Sequence, residues 1–385
     1  MPAFDVDAIS IDALRRRRSA KWRQFPPDVL PAWVAEMDFP LAEPIATALH
    51  TAVDDSDTGY LWPGELGEAF AAFALDKWDW QVQADRVCPL PDVLTGVAQS
   101  LLHLTAPGDG VIINPPVYHP FYSSITDVVH RTVVEVPMSR SADGEYGWDL
   151  EAMERAFARP DVTAYVMSNP HNPTGTAASA GVLASIAEMS ARHGVAVIAD
   201  EIHAPLVLPG SRHVPYLSIA DDNANAVVLM SASKAWNIPG LKCAQLVATS
   251  RTASTLVARI PLEVTYATGH FGAIAAIAAF RDGGPWLAHV IGILDSNRLL
   301  LAELIAEQLP RAWYRPPDAS YLAWIDLSAY GLGEDPAAVL VDRAKVALSS
   351  GPAFGDAGKG FARLNFGTTP VMLREIVHRV AAVVQ

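Results

Sequence analysis

Cysteine is nearly absent from the chain, whose 385 residues carry only Cys88 and Cys243. Two cysteines so far apart form neither a disulfide framework nor the paired spacing of a zinc site, and they suit a reducing compartment. Both lie in apolar surroundings and read as core residues. Long apolar runs are missing too. None approaches the roughly 18 residues that a membrane-crossing helix needs. The start, Met1-Pro2-Ala3-Phe4-Asp5-Val6-Asp7, is acidic and lacks the charged-then-apolar layout of a secretion signal. Basic charge is scarce: 28 Lys and Arg stand against 42 Asp and Glu, a net charge of −14. That balance argues against a broad nucleic-acid surface. The one basic cluster, Arg15-Arg16-Arg17-Arg18, could be a localisation or nucleic-acid patch. On a helix it reads more simply as a solvated face or a set of intersubunit ion pairs. Internal repeats and low-complexity segments are absent. The expectation is a cytoplasmic protein with no bound metal, no nucleic acid and no membrane partner.

What the chain does have is apolar mass. Hydrophobic residues make up 51% of a length that suits two or three domains, enough for a large core and too much for a disordered chain. Residues 1–40 read as irregular, with a helix over Ile11–Arg18. Helices are expected at Glu43–Asp54 and Glu65–Trp78, on either side of the Gly/Pro loop Asp57–Gly64. From residue 86 the texture alternates. Strands are expected at Arg86–Leu90, Gly110–Asn114, Thr132–Val136, Val162–Ser168, Val195–Ala199, Val227–Ser231 and Ala244–Thr249. Helices between them are expected at Asp92–Leu104, His119–Val129, Leu150–Phe157 and Ala180–His193. Continuous apolar strands separated by helices predict an α/β fold with a mostly parallel sheet buried on both faces. Ligands of such sheets bind where strands run out into loops. After residue 254 the expected elements are Phe271–Phe280, a long helix Trp286–Gln308, a strand Tyr321–Leu327, a helix Pro336–Leu348, a strand Phe361–Phe366 and a terminal helix Val371–Val384. The division expected is 1–45 as an N-terminal segment packing with the small domain, 46–275 as the large domain, and 276–385 as a smaller C-terminal α/β domain.

The chemistry concentrates at strand ends. Ser231-Ala232-Ser233-Lys234 follows the apolar run Ala226–Met230, and a second cation, Lys242, comes eight residues later. A lysine partly desolvated at such an exit has a lowered pKa and a nucleophilic amine. The hydroxyls and Lys242 are what a phosphate needs. Together they suggest a Schiff-base lysine for pyridoxal 5′-phosphate. On this stretch alone, a solvated surface lysine is the simpler reading.

Asp200 closes another apolar strand, where a carboxylate can hold a pyridine nitrogen protonated; it is otherwise a helix cap. Asn169-Pro170-His171-Asn172-Pro173-Thr174-Gly175 is a tight turn whose Asn amide can donate to a ring oxygen. Tyr118 follows a strand and can stack on a ring. Asp92-Val93-Leu94 opens a helix whose N–H groups suit a phosphate. Arg363 stands inside an apolar strand and pairs either with a protein carboxylate or with a substrate carboxylate.

These segments, in this order from about Trp33 to Arg363, resemble the fold-type I pyridoxal-phosphate enzymes of the aspartate aminotransferase superfamily. Trp33-Val34-Ala35-Glu36-Met37-Asp38-Phe39, Asp200-Glu201-Ile202-His203 and Lys234–Leu241 resemble its branch of cystathionine β-lyases and cysteine-S-conjugate β-lyases. The resemblance implies that Lys234 forms the Schiff base and moves the α-proton. It implies that Asp200 pairs with the ring nitrogen, Asn172 with the ring oxygen, and that Tyr118 stacks on the ring. Ser231, Ser233 and the backbone at Val93 and Leu94 would hold the phosphate, with Lys242 beside them. Tyr60 would reach the site of a neighbouring subunit in a homodimer. Arg363 would bind the substrate α-carboxylate, and His203 would lie near the ring oxygen, where ordinary aminotransferases of the superfamily usually have Tyr.

The chain departs from the pattern in three places. Lys242 stands where the superfamily often has Arg, Asp92 where a small uncharged residue suits a phosphate better, and Glu36 where the branch commonly has Asp. The expected reaction is α,β-elimination of L-cystathionine or another L-cysteine S-conjugate to a thiol, pyruvate and ammonia. An aminotransferase is the alternative, and a regulatory or binding protein on the same fold a further one.

Overall fold

The computed structural model describes residues 3–220 and 224–384, apart from the side chains of residues 251–253; Met1 and Pro2 of the acidic start lie outside them. Seven strands form the central sheet. In chain order they are β1 (Val87–Leu90), β2 (Gly110–Ile113), β3 (Thr132–Glu135), β4 (Val162–Ser168), β5 (Ala196–Asp200), β6 (Ala226–Met230) and β7 (Ala244–Val247). Their spatial order is β1-β7-β6-β5-β4-β2-β3. β7 runs antiparallel to β1 and to β6, and the neighbouring pairs from β6 across to β3 are parallel. Alternation along the strands feeds two cores. Val197, Ala199, Val228 and Met230 face one layer, while Ile198, Val227 and Leu229 face the other. Both layers are closed by helices, so the strands read as unbroken apolar runs.

Helix Val93–Leu104 packs on the second layer. It lies so close that a Cβ on Gly96 would fall 2.5 Å from Leu229 Cδ2 and 3.0 Å from Leu90 Cδ1. Helix Ala180–His193 shows how local sequence sets ends. Ser179 accepts from the Val182 N–H at its start, and Gly194 closes it in the left-handed region at φ 71°.

A second sheet gathers β8 (Trp313–Tyr314), β9 (Leu322–Asp326), β10 (Ser349–Ser350) and β11 (Phe361–Asn365) in the order β8-β9-β11-β10. The long helix Gly284–Gln308 packs with the terminal helix Pro370–Val384 beside it. The N-terminal segment is tied to this part of the chain, because Leu30–Pro31 pairs in parallel with Val346–Ala347.

Three expectations change. The helix expected over Ile11–Arg18 stops at Arg15, because Arg17 turns to donate to the carbonyls of Met37, Asp38 and Phe39. The helix expected over His119–Val129 is one α-turn, Pro120–Ser123, followed by a π-turn, Ser124–Val128. Phe121, Ile125 and Val129 are all buried at a spacing of four, which a wider turn keeps on one side. The helix expected over Pro336–Leu348 ends at Arg343, since Lys345 adopts φ 54° and the chain leaves to pair with Leu30–Pro31.

Candidate active site

Sheet register gathers the strand-end residues. Ser168 pairs with Asp200 across β4 and β5, and Asp200 pairs with Leu229 across β5 and β6. The chain crosses between them on hydrogen bonds from Asn169 N–H to the Asp200 carbonyl at 2.9 Å and from Glu201 N–H to the Leu229 carbonyl at 2.9 Å. Asp200, the Asn172 turn and the Ser231–Lys234 stretch therefore leave one edge of one sheet. They line a cavity of about 350 Å³ together with Val93, Leu94, Tyr118, His203, Ser233, Lys242 and Arg363. Tyr60 is not among its walls; it stands 85% exposed, its ring 6.0 Å from that of Tyr266.

Lys234 sits on a single helical turn, Ala232–Ala235, capped by the Ser231 hydroxyl. Trp236, fully buried against Phe73 and Phe280, anchors the next residue in the core. The Lys234 ammonium donates to the Ala35 carbonyl at 3.0 Å. Burial lowers its pKa to about 8; the charge of Arg363 lowers it further, and Asp200 and Glu36 oppose the shift. Asp200 moves the other way. Burial raises its carboxyl to about 7, against the Ile202 N–H and Lys234, which lower it. A carboxyl this poorly solvated gains from a fixed positive charge placed beside it.

Arg363 sits in the middle of β11 opposite Trp324. Its guanidinium lies 4.9 Å from the Phe354 ring centroid. It donates to Asn172 Oδ1 at 2.9 Å, to the Trp33 carbonyl at 3.1 Å and to Ser349 Oγ at 3.0 Å. Its Nε is buried with no partner among the described residues. No protein carboxylate pairs with it among those residues, which leaves the substrate-carboxylate reading of this arginine standing.

His203 is buried, bonded at Nδ1 to Ser320 Oγ at 3.0 Å. Burial, with Lys234 and Arg363 nearby, pushes its pKa down to about 3, so the ring is neutral. Tyr118 is half-buried on the cavity wall, edge-on to Phe121.

At the helix start, Asp92 is the cap. Its Oδ1 accepts from Thr95 N–H and Thr95 Oγ1, each at 2.9 Å, and its Oδ2 meets Lys242 Nζ at 3.0 Å. The N–H groups of Val93 and Leu94 have no partner among the described residues. The Ser231 hydroxyl is engaged within the protein: it donates to the Cys243 carbonyl at 2.6 Å and accepts from Ser233 N–H at 3.0 Å.

Two segments that carry the family resemblance, Trp33–Phe39 and Lys234–Leu241, contribute to the site through contacts that their sequences do not reveal. The Trp33–Phe39 segment is an irregular strap whose Trp33, Val34 and Ala35 line the cavity. Its Ala35 carbonyl also accepts from Tyr321 Oη at 3.0 Å. Asn237 clamps Met37 through both its N–H and its carbonyl, each at 2.8 Å. Asn365 donates to the Val34 and Glu36 carbonyls, each at 2.7 Å. Within the strap, Asp38 forms a fully buried ion pair with Lys21 at 2.8 Å. A polar residue inside a quoted motif, such as Asn237, was the available signal.

Residues 42–380 match the family model of aminotransferase class I and II. The chain is 43% identical to a protein of Mycobacterium leprae over 99% of this chain and 98% of that one. It is 34% identical to cystathionine β-lyase PatB of Bacillus subtilis, covering 92% of each. The fold superimposes on the crystal structure of a pyridoxal-phosphate-bound C–S lyase from Staphylococcus hominis with a TM-score of 0.92, at 24% identity and 98% coverage of each chain.

Proposed function

The chain belongs to the class I and II aminotransferase family, and from that premise we propose that it is a pyridoxal-phosphate-dependent carbon–sulfur β-lyase. It cleaves L-cystathionine or other L-cysteine S-conjugates by α,β-elimination, giving a thiol, pyruvate and ammonia. The observation that carries this reading is one cavity holding a lysine of lowered pKa, a buried strand-end carboxyl and an arginine that no carboxylate among the described residues pairs with. The near-full-length identity to PatB selects the lyase reaction.

The residues fit the cofactor. The Asp200 carboxyl, raised to about 7 by burial, suits a protonated ring nitrogen. The unpartnered Val93 and Leu94 N–H groups and the Ser233 hydroxyl suit its phosphate. Pyridoxal phosphate, when bound, supplies a conjugated ring that takes up the electron pair left at the substrate Cα.

The chain's own groups do the rest. Arg363 holds the α-carboxylate, its charge unmatched by any carboxylate among the described residues and its Nε without a partner there, with Phe354 and Ser349 fixing its plane. Lys234 carries the cofactor at rest. As a free amine tethered to the Ala35 carbonyl, it would take the proton from Cα and hold it on Nζ, from where it can pass to the departing thiolate. Asp200 keeps the ring nitrogen protonated throughout. Asn172 turns its amide N–H₂ to the ring oxygen, because Arg363 occupies its carbonyl. Tyr118 and neutral His203, both on the cavity wall, would flank the ring, Tyr118 over one face and His203 near its oxygen.

Tyr60 serves the site of a second copy in a homodimer; its exposure beside Tyr266, away from its own chain's cavity, supports this. No helix among the described residues is long and apolar enough to cross a membrane, and we place the protein in the cytoplasm. The test is to incubate the protein loaded with pyridoxal phosphate with L-cystathionine, and separately with an amino acid and a 2-oxo acid. A thiol and pyruvate in the first, with little amino exchange in the second, is the expected result. Amino exchange without thiol release assigns the chain to the aminotransferases instead.

A further inference from the structure

Asp92 is an odd residue to find at the start of a phosphate-binding helix, since its carboxylate stands where a phosphate dianion has to come. Its geometry resolves the conflict. Oδ1 is fixed by both donors of Thr95, and Oδ2 is held by Lys242 Nζ at 3.0 Å. Thr95 thus spends its N–H and its hydroxyl on the cap, so neither is left for a ligand. Lys242 reaches Asp92 from 150 residues further along the chain, and both residues line the cavity. The backbone of Lys242 sits in the left-handed region at φ 59° and ψ 70°, a conformation that favours Gly or Asn over Lys.

We propose that Lys242 serves to neutralise Asp92 rather than to bind the cofactor phosphate itself, so that the two form one uncharged unit at the rim of the phosphate cup. The phosphate is then held by the Val93 and Leu94 N–H groups and by Ser233, with no net charge from this pair. This inference rests on the pyridoxal-phosphate reading above and deepens it. The carboxylate is ionised at neutral pH: burial raises its pKa, but the Thr95 N–H and Lys242 together bring it below the ordinary range. Each side chain can therefore be silenced separately, and Asn at position 92 retains a cap oxygen for Thr95.

The experiment is a charge cycle on the cofactor-free protein, titrated with pyridoxal phosphate and followed by tryptophan fluorescence. Lys242→Met leaves Asp92 unopposed and raises Kd about tenfold; Asp92→Asn leaves Lys242 unopposed and lowers Kd by a similar factor. The double variant, neutral again, returns to within about twofold of wild type. Pyridoxal, which lacks the phosphate, binds all four proteins alike. If Lys242 is itself the phosphate ligand and Asp92 merely a helix cap, Asp92→Asn leaves Kd near wild type and the double variant stays as weak as Lys242→Met alone, which overturns the proposal. A wild-type protein that binds neither compound overturns the cofactor reading instead. Thermal unfolding of the four cofactor-free proteins separates a lost helix cap from a changed charge, because Asp92→Asn leaves Tm within about 2 °C if the cap is intact.

Discussion

Arg363 donates from Nη1 to Asn172 Oδ1 at 2.9 Å, joining the small sheet to a turn of the large one. The bond does two things at once. It fixes the guanidinium proposed to receive the substrate carboxylate, and it commits the amide of Asn172 to present its N–H₂ away from Arg363. Asn172→Asp turns that donor into an acceptor while strengthening the tie to Arg363. Its kcat/KM is expected to fall about 10²-fold, with Tm unchanged or raised. Arg363→Lys loses the planar fork, and steady-state kinetics is expected to show a similar fall carried mainly by KM.

The lowered pKa of Lys234 has a signature in stability. In the cofactor-free protein it titrates at about 8, below its ordinary range. Between those values the unfolded chain binds the proton and the folded chain does not, so stability contributed at this site rises with pH. Below pH 8 the buried ammonium destabilises the fold. Lys234→Met, free of cofactor, is therefore expected to melt higher than wild type at pH 7, and the gap is expected to close as pH climbs toward 10. Melting curves of both proteins across that range check it. A gap that stays constant with pH refutes the assignment.

Gly96 is held to glycine by the sheet beneath it. Alanine would raise helix propensity by about 1 kcal/mol. The added methyl, however, lands 2.5 Å from Leu229 Cδ2. Overpacking is expected to win, with a net loss of about 1–3 kcal/mol in urea unfolding. Because this helix presents Val93 and Leu94, weaker pyridoxal-phosphate binding is expected to accompany it.

The Lys21–Asp38 pair is 1% exposed on both sides. Trp22 Nε1 and the Glu36 carbonyl complete its hydrogen bonds, at 3.1 Å and 2.9 Å. Removing one partner leaves a buried charge, so Lys21→Met is expected to cost about 3–5 kcal/mol. Lys21→Met with Asp38→Asn leaves neither charge stranded, and denaturant unfolding of the double variant is expected to recover most of that loss.

Lys234, Asp200 and Asn172 were legible in the sequence because each follows an apolar run, and parallel strands in register bring such ends together. The turn positions of Asn169–Gly175 carried their own backbone signal. Other parts of the site had no such trace. The carbonyls of Trp33 and Ala35 do their work as backbone atoms, which any residue supplies. The partner that orients Asn172 lies 191 residues away. Asp92 looked misplaced at a phosphate site because the cation that offsets it is 150 residues further along. The helices that stopped early did so for the same reason: Arg17 and Lys345 answer to contacts with distant segments, not to the local period.

The most direct test is the product ratio from L-cystathionine, measured with wild type and with Lys234→Ala after both have been loaded with pyridoxal phosphate. The account predicts that wild type releases homocysteine and pyruvate in equal amounts, and that Lys234→Ala releases neither above the rate of free cofactor. Equal release by the alanine variant, or no thiol from the loaded wild type, would contradict it.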